Sequence, residues 1–445
     1  MAISRSLDCS YGGERNDLMN KSDLKRRVCE IINARANDIY EIGEKIMKKP
    51  EMGYREFETA SLVKAELDKL GIPYKDRLAK TGVKANLKGK SSKARVAVIG
   101  ELDAVTCSTH PLADAVSGAA HACGHNIQIA VMLGCAMALS EIADELDGDV
   151  CFFATPAEEY VEIGFREKLR ERGDIEFFGG KQELIRLGEF DDIDMAMMVH
   201  AQGSTPENAL FIGGGSLGFV AKTVDFIGKA AHAGGAPHEG INALNAAMAA
   251  MMCIHAQRET FRDEDKIRVH PIITNGGELV NVVPSNVTME TYVRGSNFPA
   301  IRDASSKVDR AIEGAAFAIG ARSEIKNYKG YLPLVQSKEL SDIFEQNAEI
   351  LENPPKIYHG VDMVGSTDIG DLGHLIPIIQ PTIGGYNGNL HAVEFGVADP
   401  ETAYLTPAKL LAMAVVDLLY DGAKGAERVK NSYTPKMTKE EYLKF

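Results

Sequence analysis

The feature that most restricts the fold is a series of short apolar runs separated by helical segments. The four clearest runs are ARVAVIG (94–100), DVCFFA (149–154), DMAMMV (194–199) and IPIIQPTIG (376–384). Strands that are apolar along their whole length are typical of a parallel sheet that helices cover on both faces. The sequence therefore predicts an α/β fold built on a largely parallel sheet.

Residues 216–329 follow a different pattern, in which strand-like segments surround two helical segments in the order β-α-β-β-α-β. The strand-like segments are GFVAKTVDFIG (218–228), KIRVHPIIT (266–274), NVTMETYVR (286–294) and SEIKNYK (323–329). This order is typical of a ferredoxin-like α+β domain. Because 445 residues are too many for one ordinary core, we predict a larger domain of residues 1–215 and 330–445 with residues 216–329 inserted in it.

Composition excludes several classes of function. A formal charge of -14 and the lack of a long basic run argue against nucleic acid as a partner. No apolar run approaches the roughly 20 residues that span a bilayer, so we expect no membrane association. The first twenty residues are polar and lack the apolar core of a signal peptide, and the seven cysteines form no regular framework. A cytoplasmic location is the resulting prediction, with residues 427–445 as a solvated tail.

Polar side chains with catalytic or metal-binding chemistry follow each of the four apolar runs. In chain order they are Glu101 and Asp103, Glu158 and Glu159, His200, and His391. The carboxyl ends of parallel strands lie at one edge of a sheet, where open α/β folds bind their ligands. The motif HACGHN (121–126) adds Cys123 and His125 at the start of an apolar helix. We expect all of these side chains to converge on one crevice.

Thiolate, imidazole and carboxylate groups are metal ligands, and this set is larger than one tetrahedral site requires. Two metal ions that share a bridging ligand are the simplest interpretation. Burying several carboxylates together without cations would cost several kcal/mol. HACGHN alone also fits a cysteine nucleophile, a redox thiol or a helix cap. A non-catalytic metal-binding protein remains a further alternative, although it would not need Glu158.

These motifs resemble those of the dinuclear metal amidohydrolases of peptidase clan MH, which include aminoacylase, hippurate hydrolase, indole-acetyl-amino-acid hydrolase and aminobenzoyl-glutamate hydrolase. The similarity runs from PEMGYREFETA (50–60) through HACGH and PAEE (156–159) to LHAVEF (390–395). It implies two divalent ions, Zn or Mn with Co also compatible. The implied ligands are Cys123, His125, Glu159, His200 and His391.

The resemblance also implies roles for the two remaining groups of carboxylates. Glu158 matches the general base of the family, and Asp103 matches the aspartate of a strand-end DxD motif that orients a ligand imidazole. The first position of that motif is Glu101 here, which leaves Glu101 without an assigned role. The implied reaction is hydrolysis of the amide bond of an N-acyl or N-aroyl amino acid or dipeptide with a free carboxylate. A dipeptidase or carboxypeptidase of the same fold is the alternative.

The segment predicted as an insertion matches a dimerisation domain of the same family. GKAAHAGGAPHEGINALNAA (228–247) resembles a segment whose histidine contacts the scissile carbonyl, often across a homodimer, which implies His232, with His238 as the alternative. VNVVPSNVTMETYVRG (280–295) resembles a segment that grips the substrate, which implies Asn281 and Arg294. The planar fork of an arginine suits a carboxylate.

The chain departs from many relatives after PAEE, because 41 positions separate Glu159 from His200. The additional segment covers residues 160–179. We predict a loop or short helix there that shapes the substrate pocket, and a surface elaboration is the alternative.

Overall fold

The computed structural model describes residues 20–363 and 365–444. The prediction that there is no signal peptide concerns the first twenty residues. Of these, all except Asn20 lie outside the described residues. Within the described part of the chain, helices and a mainly parallel central sheet confirm the α/β prediction.

Six of the described strands form the central sheet. In spatial order they are Tyr74–Leu78, Gly82–Leu87, Asp149–Thr155, Arg95–Glu101, Met195–Met197 and Ile378–Ile379. The last four run parallel, whereas the first two are antiparallel to their neighbours. The parallel strands therefore bring the chain segments after residues 101, 155 and 197 to one edge of the sheet.

Helices cover both faces of this sheet, which explains why its strands are apolar throughout. Val96 and Val98 pack in the core on one face, whereas Ala97 and Ile99 pack in the core on the other. The helices of the larger domain are Lys21–Ala34, Ala36–Met47, Phe57–Leu70, His125–Ser140, Ile163–Glu171, Gly180–Arg186, Lys338–Glu349, Ile369–Leu372, Thr406–Leu419, Lys424–Ser432 and Lys439–Lys444. The helix His125–Ser140 is buried over nearly its whole length.

Residues 218–329 form a separate antiparallel sheet with the predicted ferredoxin-like order. Its strands lie in the order Arg268–Val269, Asn286–Gly295, Gly218–Ile227 and Arg322–Lys329, and Ile272–Asn275 also pairs with Asn286–Gly295. The helices Ala243–Ala256 and Phe298–Ile319 pack against it. The second predicted strand is divided around Pro271, which has no N–H to donate. We call these residues the inserted sheet; the domain limits 216 and 329 remain a prediction.

Two of the apolar runs are divided between sheets. The run at 194–200 gives Met195–Met197 in the central sheet and His200–Ala201 in a second sheet. The run at 376–384 likewise gives Ile378–Ile379 and Thr382–Ile383, with Pro381 between them. The second sheet has the order Lys356–His359, Ala209–Ile212, Thr382–Ile383 and His200–Ala201. Short pairs also form between Val105–Thr106 and Ala119–Ala120, and between Tyr386–Asn387 and Gly396–Val397.

The expectation of a solvated carboxyl-terminal tail is wrong. The last described residues form two helices, and the second of them, Lys439–Lys444, packs on the protein. Tyr442 is fully buried, and its hydroxyl donates a hydrogen bond of 2.9 Å to Asp371 Oδ1. The buried ring of Tyr442 therefore docks this segment together with Tyr433, whose hydroxyl donates to the carbonyl oxygen of Gly373, and Met437, which packs against the core.

One helical segment, Glu401–Leu419, is long and apolar enough to cross a bilayer by length and composition alone. However, 89% of its apolar window is buried inside the protein. Leu411 and Val415 lie in the same core as the helix His125–Ser140. This burial is that of a core helix, so the segment is weak evidence for a membrane span.

Candidate metal centre

The strand ends and the HACGH motif bring seven metal-binding side chains together. We call them the donor cluster: Glu101, Cys123, His125, Glu158, Glu159, His200 and His391. They form three overlapping groups, in each of which the donor atoms lie within 4.8 Å of one another: Cys123 with His125 and His200, Cys123 with Glu159 and His391, and Glu101 with His125 and Glu158. All of these residues are buried except His391, whose side chain is half-exposed. The predicted convergence is therefore present in one chain.

A glycine positions the two donors of HACGH. Gly124 has a φ of 86°, a left-handed conformation, and a Cβ there would lie 2.9 Å from Ala201 Cβ. The helix begins immediately afterwards at His125, so Cys123 and His125 both lie at its amino-terminal end. The helix dipole favours a thiolate at this position. Glycine is thus required for the turn and for the close approach of the His200–Ala201 strand.

Both buried imidazoles present the same nitrogen to the centre. His125 Nδ1 donates to the carbonyl oxygen of Asp103 at 2.9 Å, and His200 Nδ1 donates to that of Ala201, also at 2.9 Å. A carbonyl oxygen can only accept, so the proton is on Nδ1 in both rings. Nε2 of each ring is left facing the cluster, which is the usual arrangement of a metal-binding histidine.

The distances between donors fit neighbouring ligands of one cation. Cys123 Sγ lies 3.5 Å from His200 Nε2, and His391 Nε2 lies 3.0 Å from Glu159 Oε1. Ligands about 2.0–2.3 Å from a shared ion are separated by about 3.0–3.6 Å. Among the described residues, Glu101 Oε2, Asp103 Oδ1 and His125 Nε2 are buried without a hydrogen-bond partner. Such atoms are costly unless a cation satisfies them, so the donor set fits metal binding.

The charges of the cluster shift the pKa values of its members. Burial and Glu159 oppose ionisation of Cys123, but the imidazoles of His200 and His125 prevail and lower its pKa to about 6. Burial and the carboxylates of Glu101 and Glu159 raise the pKa of Glu158 well above its usual value. The neighbouring carboxyl group is thereby suited to carry a proton, whereas the thiol is suited to bind a cation as a thiolate.

His121, the first histidine of the motif, lies outside the donor cluster. It is buried, and burial lowers its pKa to about 3, so its imidazole is neutral. Among the described residues it belongs to none of the three donor groups.

The backbone of the PAEE segment is held from several directions. The Glu159 N–H donates to Asp103 Oδ2 at 2.9 Å, and the Tyr331 hydroxyl donates to the carbonyl oxygen of Glu158. Asp103 therefore contacts both His125, through its carbonyl oxygen, and Glu159, through its carboxylate. Its predicted orienting role rests on these two contacts.

The additional segment after PAEE includes the helix Ile163–Glu171 and supplies a buried arginine. Arg166 is 1% exposed, and its guanidinium donates to the carbonyl oxygens of Phe178 and Glu159. The segment therefore supports the backbone of a cluster residue, which a surface elaboration would not do. Its effect on substrate choice remains a prediction.

An ion-pair network beside the cluster was not predicted. Lys181 Nζ lies 2.5 Å from Glu101 Oε1 and 2.6 Å from Asp368 Oδ1, and all three side chains are fully buried. Asp368 is separated from Lys181 by 187 positions. The sequences around the two residues, GGKQEL (179–184) and STDIGD (366–371), contain no motif that predicts this contact. Only Glu101, at the end of its strand, carried a signal.

The residues implied for substrate binding lie in the inserted sheet, and of these Arg294 is near enough to Glu159 to interact with it electrostatically. His232 is exposed, and its Nδ1 accepts from the N–H groups of Gly234 and Gly235. Asn281 is also exposed, and its carbonyl oxygen accepts from the Ala233 N–H. Arg294 is partly buried, and its guanidinium donates to Ser366 Oγ at 2.9 Å. Within the described residues, none of the three belongs to a group of candidate metal ligands.

The parallel-sheet fold and the buried cluster of sulfur, nitrogen and oxygen donors define the class of the protein, which is a metal-dependent hydrolase. The sequence model of "Peptidase family M20/M25/M40" matches residues 97–415, and the chain belongs to this family. The resemblance to amidohydrolases found in the motifs is thereby confirmed.

Individual relatives share most of the chain. It is 30% identical over 344 residues to a Xaa-Arg dipeptidase of Mus musculus, covering 74% of each sequence. It is 27% identical to an N-acyl-L-amino acid amidohydrolase of Geobacillus stearothermophilus, over 72% of this chain and 83% of that one. The crystal structure of a dinuclear metal-binding peptidase of family M20 from Bacillus subtilis superposes with a TM-score of 0.66 at 22% identity, over 87% of this chain and 99% of that one.

Proposed function

We propose that this hydrolase is a dinuclear amidohydrolase that cleaves the amide bond of an N-acyl amino acid or dipeptide with a free carboxylate. The observation that carries the proposal is the convergence of three donor groups around Cys123 and His125, with Glu158 beside them. The names of the relatives support the bond type, since one is an amidohydrolase of N-acyl amino acids and another is a dipeptidase.

Five side chains would hold two divalent ions, with Cys123 shared between the two groups that contain it. The ligands are Cys123, His125, Glu159, His200 and His391. When bound, the ions lower the pKa of a water from about 16 toward about 7 and polarise the substrate carbonyl. A mixed set of sulfur, nitrogen and oxygen ligands accepts Zn, Mn or Co, with Zn or Mn preferred.

Glu158 would act as the general base. Its carboxylate lies 4.0 Å from His125 Nε2, and burial with the carboxylates of Glu101 and Glu159 raises its pKa, which makes it a stronger base than an ordinary glutamate. It takes a proton from the attacking water and later returns a proton to the leaving amine. Tyr331 and Asp103 hold the backbone on either side of the Glu158–Glu159 peptide, which fixes the direction of the carboxylate.

Arg294 would bind the substrate carboxylate. Its guanidinium lies 5.4 Å and 5.5 Å from the ring centres of Phe219 and Tyr292, and it donates to Ser366. These contacts orient the guanidinium group of Arg294. Its partial burial removes water from around it, which strengthens a charge-assisted hydrogen bond to a carboxylate. His232 would contact the scissile carbonyl, and Asn281 would bind the substrate beside it.

We also propose a homodimer that uses the inserted sheet. Its helix Ala243–Ala256 exposes Met248 and Met252, and Ile272 is exposed on the strand beside Asn286–Gly295. Light scattering after gel filtration should give twice the chain mass, and Met252→Glu should lower it toward one chain. Phe57→Glu, an equally exposed apolar position of the larger domain, is the control. A monomeric wild-type chain would contradict the dimer.

The function is tested by metal analysis followed by hydrolysis of a panel of N-acyl amino acids, dipeptides and their amidated forms, with released amine as the readout. We expect about two metal ions per chain and metal-dependent turnover of carboxylate-bearing substrates. Preferential release of carboxyl-terminal residues from longer peptides would favour the carboxypeptidase alternative. Absence of amide hydrolysis in metal-loaded protein would contradict the proposal.

A cysteine-dependent hydrolase is the rival that the Cys123–His200 contact also allows. Alkylation of the thiol separates the two, because metal ligation protects a cysteine. We expect iodoacetamide to modify Cys123 in chelator-treated protein and not in metal-loaded protein. Rapid loss of activity on alkylation despite excess metal would favour the cysteine mechanism.

A further inference from the structure

Glu101 makes a contact that a hydrogen bond does not explain. Its Oε2 lies 3.1 Å from His125 Nε2, and both side chains are fully buried. The contact lacks hydrogen-bond geometry, and neither atom has another hydrogen-bond partner among the described residues. In the neutral imidazole, which is the form that binds a metal, Nδ1 carries the proton donated to the carbonyl oxygen of Asp103 and Nε2 keeps its lone pair for a cation. Two acceptor atoms thus face the same buried space.

The separation of the two atoms matches two ligands of one ion. Oxygen and nitrogen ligands about 2.1 Å from a shared ion are about 3.0 Å apart at a right angle and about 3.4 Å apart in a tetrahedron. Glu158 also contributes an oxygen to this group, within 4.8 Å of the other donor atoms. The group is therefore as compact as the two that contain Cys123.

Lys181 accounts for the direction of the Glu101 carboxylate. Its ammonium group lies 2.5 Å from Oε1, so that oxygen is satisfied and Oε2 is left facing His125. Asp368 balances the lysine on its other side at 2.6 Å and also accepts from the Lys181 backbone N–H at 2.8 Å. A buried carboxylate with one oxygen paired in this way is a preorganised ligand.

We propose that Glu101 is a sixth side-chain ligand of the dinuclear centre, which binds through Oε2 the ion held by His125 while Lys181 holds Oε1. This inference rests on the proposed metal centre and assigns to it a ligand beyond the five implied by the family motifs. It also gives the chain segment after residue 179 a role in metal binding through Lys181.

The test is cobalt titration of the full chain, followed by visible absorption and metal analysis. Cobalt bands strengthen when the coordination number falls, and a thiolate-to-cobalt band in the near ultraviolet reports Cys123. We expect Glu101→Gln to weaken one of the two cobalt sites by at least about 10-fold, because even the outer partners of metal ligands contribute about 10- to 100-fold to affinity. Its visible bands should become stronger, while the thiolate band remains.

Asp371→Asn is the matched control, because Asp371 is also a fully buried carboxyl group near this network but bonds to Gln182 and Tyr442 rather than to Lys181 or the donor cluster. It should titrate and absorb like the wild type. Equal behaviour of Glu101→Gln and the wild type would overturn the proposal. So would an Asp371→Asn variant that matched Glu101→Gln, since the effect would then come from the loss of any buried carboxyl group in this region.

A second measurement avoids the risk that a buried substitution prevents folding. In a crystal structure of cobalt-loaded wild-type protein, anomalous scattering locates the ions. Glu101 Oε2 within about 2.5 Å of one ion supports the assignment, and a separation beyond hydrogen-bond distance overturns it. A wild-type chain that binds no cobalt would instead overturn the proposed function itself.

Discussion

The donor cluster and the substrate-binding residues of the inserted sheet differ in how far a single chain completes them. Six of the seven cluster residues are buried. Backbone carbonyl oxygens accept from Nδ1 of His125 and of His200, Lys181 pairs with Glu101, and an arginine donates to the backbone carbonyl oxygen of Glu159. His232 and Asn281 are exposed and contact mainly their own loops. A single chain therefore brings the donor cluster together in its interior, whereas these two residues of the inserted sheet lie at its surface.

The largest effect on activity should come from Glu158, the residue of the donor cluster that is not a proposed metal ligand. Glu158→Gln keeps the shape of the side chain but cannot accept a proton, so turnover should fall by about 10²–10⁴-fold. Metal content, measured by plasma emission, should stay at the wild-type value. Glu162→Gln, an exposed change in the same segment, should keep wild-type activity. An active Glu158→Gln enzyme would remove Glu158 from the mechanism.

The next largest effect tests whether the cluster is one unit. Cys123 belongs to two of the three donor groups, so Cys123→Ser should weaken both metal sites, by at least about tenfold. Metal content after dialysis should fall below that of the wild type. Cys253→Ser, at an exposed position, serves as the control. Full occupancy in Cys123→Ser would show that the thiolate is not a ligand.

Mixing two inactive variants tests whether the inserted sheet completes the site of a partner subunit. Glu158→Gln and His232→Ala are each expected to be inactive. If His232 acts across the dimer, one site of each mixed dimer carries both wild-type residues. Random reassociation makes half of the dimers mixed, so about one-quarter of wild-type activity should return. No recovery in verified mixed dimers would place His232 in the site of its own chain.

The smallest effect should come from the arginine at the boundary of the two regions. Lysine lacks the bidentate fork, so Arg294→Lys should raise KM for carboxylate-bearing substrates by about tenfold, which corresponds to about 1.4 kcal/mol. Amidated substrates should change little. Arg268, which pairs with Arg294 across the two strands, provides the control as Arg268→Lys. Equal changes for both substrate types would contradict carboxylate binding.

The donor cluster could be predicted because short patterns in the sequence locate the ends of parallel strands. Glu101, the Glu158–Glu159 pair and His200 each follow an apolar run, and parallel strands carry those ends to one edge. Cys123 and His125 are marked instead by the HACGH motif at the start of an apolar helix. The antiparallel order of the inserted sheet was likewise predictable from its β-α-β-β-α-β pattern. In both cases a short-range pattern determines a long-range arrangement.

Contacts between distant segments could not be predicted in this way. Lys181 and Asp368 meet across 187 positions, and neither follows a recognisable motif. Tyr442 helps to dock a polar segment through its buried ring, which hydrophobic periodicity does not reveal. Pro381 divides an apolar run between two sheets, although the run is continuous in the sequence. Such contacts depend on which surfaces of the folded chain pack against each other, and a single sequence does not show this.

The order of strands in the central sheet has a consequence for synthesis of the chain. Met195–Met197 pairs with Ile378–Ile379, which emerges from the ribosome about 180 residues later. At about 5–20 residues per second, this delay is roughly 10–35 s. During that time the nascent chain has an unpaired sheet edge and no His391, and all residues of the inserted sheet are synthesised within the same interval. Chaperone binding to nascent chains should therefore concentrate on the interval before residue 376.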